Sequence, residues 1–125
     1  MELPEELLYT SEHEWVSIAD DVATVGITDY AQGELGDIVF VELPQVGDTT
    51  TYMQPFGTIE AVKAVSDLYA PLSAEVVEVN TKLEDTPELI NESPYGDGWL
   101  IKLKISDQSE VEKLMSAEDY RSQLP

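Results

Sequence analysis

The chain has 125 residues, of which 26 are Asp or Glu and only six are Lys or Arg, and its formal net charge is -20 at pH 7. This length fits one domain with a single core. So acidic a chain repels nucleic-acid phosphates and anionic lipid, which excludes both as expected partners. With no Cys and one His, the chain cannot form disulfides, cysteine nucleophiles or most transition-metal sites.

No apolar run approaches the roughly 20 residues that a membrane span requires. The start MELPEELLYT lacks the basic and apolar regions of a signal peptide and is not rich in Arg. We therefore predict a cytoplasmic protein with no membrane association, although a mature organelle protein has the same features.

The first third of the chain predicts strands joined by tight turns. The runs EWVSIA and VATVGI are typical of two strands, and Asp20 and Asp21 between them indicate a hairpin turn. A short bridging helix is predicted over DYAQGEL, with Asp29 as its N-cap, Gln32 as the capping-box partner and its end near Gly36. The next strand, DIVFVEL, ends at Pro44.

The middle of the chain continues this pattern, with Pro or Gly at most joins. Strands are predicted for TTTYM, FGTIEAV, DLYAP and AEVVEV. Thr86 and Pro87 then start one helical turn, and residues 94–98 form a loop before the strand WLIKLKI.

The C-terminal stretch predicts two short helices. Val111, Leu114 and Met115 have the spacing of one helical face packed on a sheet, and Ser116 with Asp119 resembles a second capping box. Many short strands with terminal helices indicate a mostly β protein, either a sandwich or a flattened barrel.

Lys63, between two predicted strands, is the residue with the most open chemistry. It is either a solvated turn residue, a Schiff-base nucleophile or a point of covalent modification. A nucleophilic lysine needs a lowered pKa, but no other Lys or Arg lies within eighteen positions, and Glu60 and Asp67 would stabilise the ammonium. Local context alone favours a plain turn lysine over a modification site.

Other catalytic sites have little support. A serine nucleophile would have only His13 as its base, and His13 between two glutamates is typical of a surface or capping residue. No Gly-rich phosphate loop is present, because no GK[ST] follows Gly33 or Gly36.

Four segments together resemble one family. They are EHEWV, VGITDYAQGELGDIVFVELPQVG, EAVKAVSDLYAPLSAEVVEVN and LINESPYGDGWLIKL, and in this order they resemble the glycine cleavage system H proteins over nearly the whole chain. The resemblance implies a lipoyl/biotinyl-like sandwich in a single domain, 1–125, with a lipoyl-like core at about 22–105 and C-terminal helices at about 107–124.

The resemblance also implies a non-catalytic carrier with lipoic acid in amide linkage to Lys63. Glycine decarboxylase would load an aminomethyl group as carbon dioxide leaves, aminomethyltransferase would pass the carbon to tetrahydrofolate, and dihydrolipoyl dehydrogenase would reoxidise the dithiol. Lipoylating enzymes are the fourth kind of partner. A hairpin tip that holds its lysine away from the core suits this work, because one arm then reaches several active sites.

Four further positions are implied by the resemblance. Glu14 and Asp67 match positions suited to hold the cationic amine of the loaded arm, with a capping or turn role as the alternative. Glu60 matches a position associated with recognition by the lipoylating enzymes. Ala74 stands where the family usually has Gly; if its turn demands a positive φ, Ala costs about 1 kcal/mol and changes the loop that those enzymes recognise.

Several alternatives keep the fold or the surface but change the role. A biotin carrier is disfavoured because Val62 and Ala64 replace the methionines that flank its lysine. A lipoyl domain of a 2-oxoacid dehydrogenase would lack the EHEW and SPYGDGW segments. A donor protein in a lipoate relay and an unmodified acidic interaction module remain as alternatives.

Overall fold

Across residues 2–125, which the computed structural model describes, the chain forms nine β-strands, four α-helices and one 3-10 helix. The strands are β1 (Leu8–Tyr9), β2 (Glu14–Ala19), β3 (Val22–Ile27), β4 (Ile38–Glu42), β5 (Thr49–Thr50), β6 (Pro55–Ala61), β7 (Val65–Tyr69), β8 (Ala74–Val79) and β9 (Ile101–Ile105). The helices are α1 (Asp29–Leu35), α2 (Lys82–Asp85), α3 (Leu89–Glu92) and α4 (Ala117–Gln123), and the 3-10 helix covers Gln108–Lys113.

The strands form two antiparallel sheets. The larger has the order β1-β2-β3-β9-β8-β5, and the smaller has the order β4-β6-β7. The predicted mostly β sandwich with short helices is therefore confirmed, and its two sheets remain separate instead of closing into a barrel. No helix within residues 2–125 is long and apolar enough to cross a membrane.

The main core lies between the two sheets, because alternate residues of each strand point inward. Val25 and Leu103 from the large sheet meet Ile59 and Leu68 from the small one, and all four are at most 2% exposed. A second cluster joins the two ends of the chain, where the ring of Tyr9 stacks on that of Tyr120 at 4.9 Å between centroids. Helix α4 is thereby fixed against β1 and β2.

Most predicted elements are found where the sequence indicated them. Strands β2, β3 and β8 coincide with EWVSIA, VATVGI and AEVVEV, and Asp20 turns the β2–β3 hairpin with φ of 59°. The Ser116 N-cap is confirmed, since its hydroxyl oxygen accepts a hydrogen bond from Asp119 N at 3.1 Å. The predicted strand TTTYM is wrong beyond Thr50, because Met53 has a φ of 60°, which ends an extended run.

The start of α1 differs from the prediction by one residue. Thr28, in an extended conformation, is the N-cap, and its Oγ1 accepts a hydrogen bond from Ala31 N at 3.2 Å. Asp29 is the first helical residue and accepts from Gln32 Nε2 at 2.7 Å. Thr and Asp are both good N-cap residues. The side chain of Thr28 has an additional buried partner, Tyr120 Oη, at 2.9 Å from its Oγ1. Strand β1 and helix α2 were not predicted.

Gly57 in β6 is required by the close approach of the neighbouring chain. A Cβ at this position would overlap the carbonyl oxygen of Glu42 in β4. Gly57→Ala is expected to lower the free energy of unfolding by about 2 kcal/mol, measured by chemical denaturation. Gly33→Ala is the matched control: nothing lies within 4 Å of its added methyl group, and alanine in α1 should raise stability by about 1 kcal/mol. Equal effects at the two sites would contradict this account.

Candidate functional site

Lys63 lies at the tip of the β6–β7 hairpin. The strands end at Ala61 and restart at Val65, and Ala61 N donates to Ala64 O at 2.7 Å to close the turn. Val62 N donates to Asp37 O at 3.1 Å, which ties the tip to the start of β4. Lys63 is exposed, and within residues 2–125 it makes no ion pair closer than 4.0 Å, so Glu60 and Asp67 do not screen its charge directly.

The stem of Lys63 passes over the end of helix α1. Gly36 ends that helix with φ of 82°, and a Cβ built on it would lie 3.6 Å from Lys63 Cε. Glu34 and Leu35, immediately before Gly36, line a cavity of about 270 Å³. The stem of Lys63 therefore lies next to the end of α1, two residues of which line this cavity.

This cavity, called the arm cavity below, is formed by three elements that are distant in sequence. The β1–β2 turn and β2 supply one wall, α1 a second, and the β6–β7 hairpin a third. Both apolar side chains and carboxylates line it. Its lining includes Glu12, Glu14, Ile27, Glu34, Ile59 and Asp67.

Glu14 is the one carboxylate of this cavity that is deeply buried, with 1% of its surface exposed. Thr10 Oγ1 donates to Glu14 Oε1, and Tyr69 N donates to Oε2 at 3.2 Å. Burial raises the pKa of Glu14 to about 8, against the partial lowering by these two hydrogen bonds. Near neutral pH the group is mostly a neutral acid that a nearby cation would ionise.

The bond from Tyr69 also identifies the free edge of the small sheet. Among residues 2–125, β7 pairs only with β6, and in an antiparallel strand successive N–H groups alternate between the two sides. Since Tyr69 N points to Glu14, the backbone of Asp67 two residues earlier points to the same open side. Asp67 thus offers its backbone to the cavity, while its side chain lies on the face opposite the buried Leu68.

Comparison with known proteins identifies the family of this chain. A family model described as glycine cleavage H-protein matches residues 7–125. The chain belongs to the glycine cleavage H-protein family. A glycine cleavage system H protein of Rubrobacter xylanophilus is 58% identical over 123 residues, covering 98% of this chain and 95% of that protein. The corresponding protein of Staphylococcus carnosus is 54% identical over 124 residues, covering 99% and 98%.

A solved structure supports the same family. The crystal structure of a glycine cleavage system H protein from Mycobacterium marinum matches with a TM-score of 0.88 and 41% identity, covering 96% of this chain and 97% of that one. The lipoyl-domain-like sandwich and the family assignment made from the sequence are therefore confirmed. The roles of individual residues remain predictions.

Glu60 of this H-protein family member lies on the outer face of the small sheet. It is opposite Phe40 on one side and Val65 on the other, so the three side chains form an exposed row beside Lys63. Four of the six exposed large hydrophobic side chains within residues 2–125 surround this hairpin: Val39, Phe40, Val62 and Val65. An exposed apolar cluster of this kind is typical of an interaction surface.

The backbone of Ala74 does not have the positive φ that would make Ala unfavourable at this position. The non-glycine residues with positive φ among residues 2–125 are His13, Asp20 and Met53, so Ala74 carries no such cost. The turn before it is held instead by Glu110, whose carboxylate accepts from Ser73 N at 2.7 Å and Ser73 Oγ at 2.8 Å. Ala74 begins β8, at the other end of β7 from Lys63.

His13 is the site residue that sequence reasoning missed. It was interpreted as a surface or capping residue, but it is half-buried and lines the arm cavity next to Glu14. Its Nδ1 lies 2.7 Å from Tyr120 Oη, 107 residues away in sequence. The only signal in the sequence was the position of the single imidazole beside Glu14. No cluster of three or more metal-ligating side chains occurs within residues 2–125.

Proposed function

We propose that this chain is the lipoyl-bearing carrier of the glycine cleavage system, with the lipoyl group in amide linkage to Lys63. The observation that carries the proposal is the position of an exposed, unpaired lysine at a hairpin tip next to a cavity with a buried carboxyl group. A terminal amine on a flexible stem suits an amide link, and the hairpin keeps it accessible to other proteins.

When bound, the lipoyl group would supply the disulfide chemistry by which a carrier accepts an aminomethyl group at glycine decarboxylase, gives it up at the tetrahydrofolate-dependent aminomethyltransferase, and returns from dithiol to disulfide at dihydrolipoyl dehydrogenase. Lys63 holds the group, and the hairpin presents it to each enzyme in turn. The chain supplies no catalytic residue in this scheme. Its own contribution is to shelter the carried amine between visits.

The arm cavity suits that shelter for a physical reason. A carried amine is cationic near neutral pH, and a cation next to Glu14 favours ionisation of this otherwise neutral acid. The charge pair then forms away from bulk water, where it is only weakly screened. Asp67 takes part through its backbone carbonyl, because the alternation along β7 turns its side chain to the outer face.

The proposed carrier domain includes the whole chain. Residues 1–125 form one lipoyl-carrier domain, and the core at about 22–105 contains both strands of the lysine hairpin. The C-terminal helices at about 107–124 reach back to the N-terminal strands through the backbone pairing of Tyr9 with Met115.

Expression with lipoate and a competent ligase tests the proposal. Intact mass spectrometry should show one lipoyl group, and peptide mapping should locate it on Lys63. Purified decarboxylase with glycine should then add an aminomethyl group. Persistent absence of lipoylation would favour an unmodified interaction module, whereas lipoylation without aminomethyl loading would favour a donor in a lipoate relay.

Glu60 is proposed to contact the lipoylating enzymes from the exposed row beside Lys63. Glu60→Gln should slow lipoylation about tenfold, the loss of one charge-assisted hydrogen bond worth about 1.5 kcal/mol. The rate is measured by following the mass of the intact chain over time. Glu75→Gln, on an exposed position of β8, is the matched control and should leave the rate unchanged. Equal rates for both variants would remove Glu60 from this role.

A further inference from the structure

His13 connects the arm cavity to the C-terminal helix. It lies in the left-handed region with φ of 73°, and its backbone is held on both sides: His13 N donates to Thr10 O at 3.2 Å, and Thr28 N donates to His13 O at 3.0 Å. The ring packs against Tyr30 of α1 and against the edge of Tyr120 of α4. The imidazole therefore has a fixed place in the cavity wall.

Two hydroxyl groups continue from this ring into the interior. Tyr120 Oη lies 2.7 Å from His13 Nδ1 and 2.9 Å from Thr28 Oγ1. Thr28 and Tyr120 are both fully buried, with 0% exposed. Neither hydroxyl hydrogen can therefore be satisfied by bulk water, and each needs a protein acceptor.

This requirement sets the direction of the hydrogen bonds. Thr28 Oγ1 already accepts from Ala31 N, and within residues 2–125 its hydrogen has no acceptor in range other than Tyr120 Oη. Tyr120 accepts that hydrogen and must donate its own to His13 Nδ1. In the reverse direction, an Nδ1–H would donate to Tyr120, and Thr28 would be left with a buried hydrogen and no partner, which costs about 1–3 kcal/mol.

We propose that Tyr120 is a positioning residue that holds His13 as the neutral tautomer with its proton on Nε2, so that the cavity wall beside Glu14 carries no positive charge. The consequence for the carried amine rests on the proposed carrier function. A neutral imidazole leaves the buried carboxyl of Glu14 to the incoming ammonium group, whereas an imidazolium would compete for it and repel the amine.

The surroundings of His13 both lower and raise its pKa. Burial lowers the pKa of His13, while Glu12 of the preceding turn and Glu34 of α1 raise it by a smaller amount. Glu14 on β2, Tyr30 on α1 and Tyr120 on α4 complete the titratable groups that face this wall, while the carboxylate of Asp67 lies on the outer face of the small sheet. Against these carboxylates, the hydrogen donated by Tyr120 to Nδ1 stabilises the neutral ring.

The unmodified protein allows a direct test, because His13 is the only histidine of the chain. Its ring nitrogens, observed by ¹⁵N NMR during a pH titration, should show a proton on Nε2 and none on Nδ1 through neutral pH. Tyr120→Phe should raise the pKa of His13 towards its ordinary value and mix the two tautomers. An Nδ1–H form in the unmutated protein, or an unchanged tautomer and pKa in Tyr120→Phe, would overturn the proposal.

Tyr9→Phe is the matched control, because it removes one hydroxyl from the tyrosine that stacks on Tyr120. The Tyr9 hydroxyl donates to Pro4 O at 2.6 Å and does not touch His13, so this variant should leave the imidazole signals unchanged. If Tyr120→Phe does not fold, Thr28→Val provides the second variant. It removes the donor that orients Tyr120 and should also mix the tautomers; a single Nε2–H tautomer in that variant would count against the proposal.

Lipoylated protein gives a second measurement. With the aminomethyl group loaded, release of methylamine from Tyr120→Phe should be at least about threefold faster than from Tyr9→Phe at pH 6, and the two rates should converge at pH 8, where the imidazole is neutral in both. Equal rates at pH 6 would overturn the role in shelter. Failure of lipoylation would instead remove the carrier function and leave the tautomer result standing.

Discussion

Lys63→Arg is expected to abolish lipoylation of this chain and its support of glycine cleavage. Arginine keeps the charge and the length of the exposed side chain, so the hairpin should fold unchanged, but a guanidinium does not lose a proton in the accessible pH range and cannot form the amide. Intact mass spectrometry should show no adduct, and reconstituted glycine cleavage should fall to the level found without this chain.

Lys82→Arg is the control for this experiment, because Lys82 is also exposed and lies at the start of a short helix. It should be lipoylated as fully as the unmutated protein. A full adduct on Lys63→Arg, or loss of the adduct in Lys82→Arg, would place the modification elsewhere and contradict the carrier scheme built on this hairpin.

Glu14→Gln is expected to shorten the lifetime of the loaded carrier by about tenfold or more. Glutamine keeps the size and some hydrogen-bonding capacity of the side chain but cannot become an anion, so the amine loses a charge-assisted contact of about 1.5–3 kcal/mol. Release of methylamine from lipoylated, aminomethyl-loaded protein measures the effect. Equal release rates for the two proteins would eliminate the proposed role of Glu14.

The unmodified protein gives an independent check on the same side chain. The pKa of Glu14 in the folded protein, about 8, lies above the ordinary value of 4.5. The folded chain therefore binds more protons than the unfolded chain between these two pH values. The contribution of Glu14 to the free energy of unfolding must fall as the pH rises from about 4.5 to about 8, by up to about 1.4 kcal/mol per pH unit. The difference in stability between Glu14→Gln and the unmutated protein should therefore grow in favour of the variant towards pH 8.

The hairpin around Lys63 could be predicted because its information is local. Two β-prone runs with a lysine near their join indicate a turn, and local patterns likewise identified the Asp20 hairpin and the Ser116 cap. The N-cap of α1 was misplaced because Thr28 and Asp29 have similar capping ability, and the choice depends on Tyr120, which lies 92 residues from Thr28. Single-sequence patterns do not encode that contact.

The arm cavity was only partly predictable for a related reason. Glu14 and Asp67 both line the arm cavity, but their expected contact with the loaded arm came from family resemblance and stays a prediction. The contacts that His13 and Tyr69 make in and beside the arm cavity depend on backbone direction, namely a left-handed φ at one and an edge-facing N–H at the other. Neither conformation follows from residue type, since His and Tyr are ordinary members of turns and strands.

The contact of Tyr120 with His13 also bears on the order in which this chain acquires its properties. The lysine turn joins neighbouring strands and closes over a few residues, whereas the wall of the arm cavity includes contacts across 55 and 107 residues. Short loops close faster and at lower entropic cost than long ones. A growing or partly folded chain can therefore form its lysine turn early, but only the completed chain has the arm cavity with its full wall.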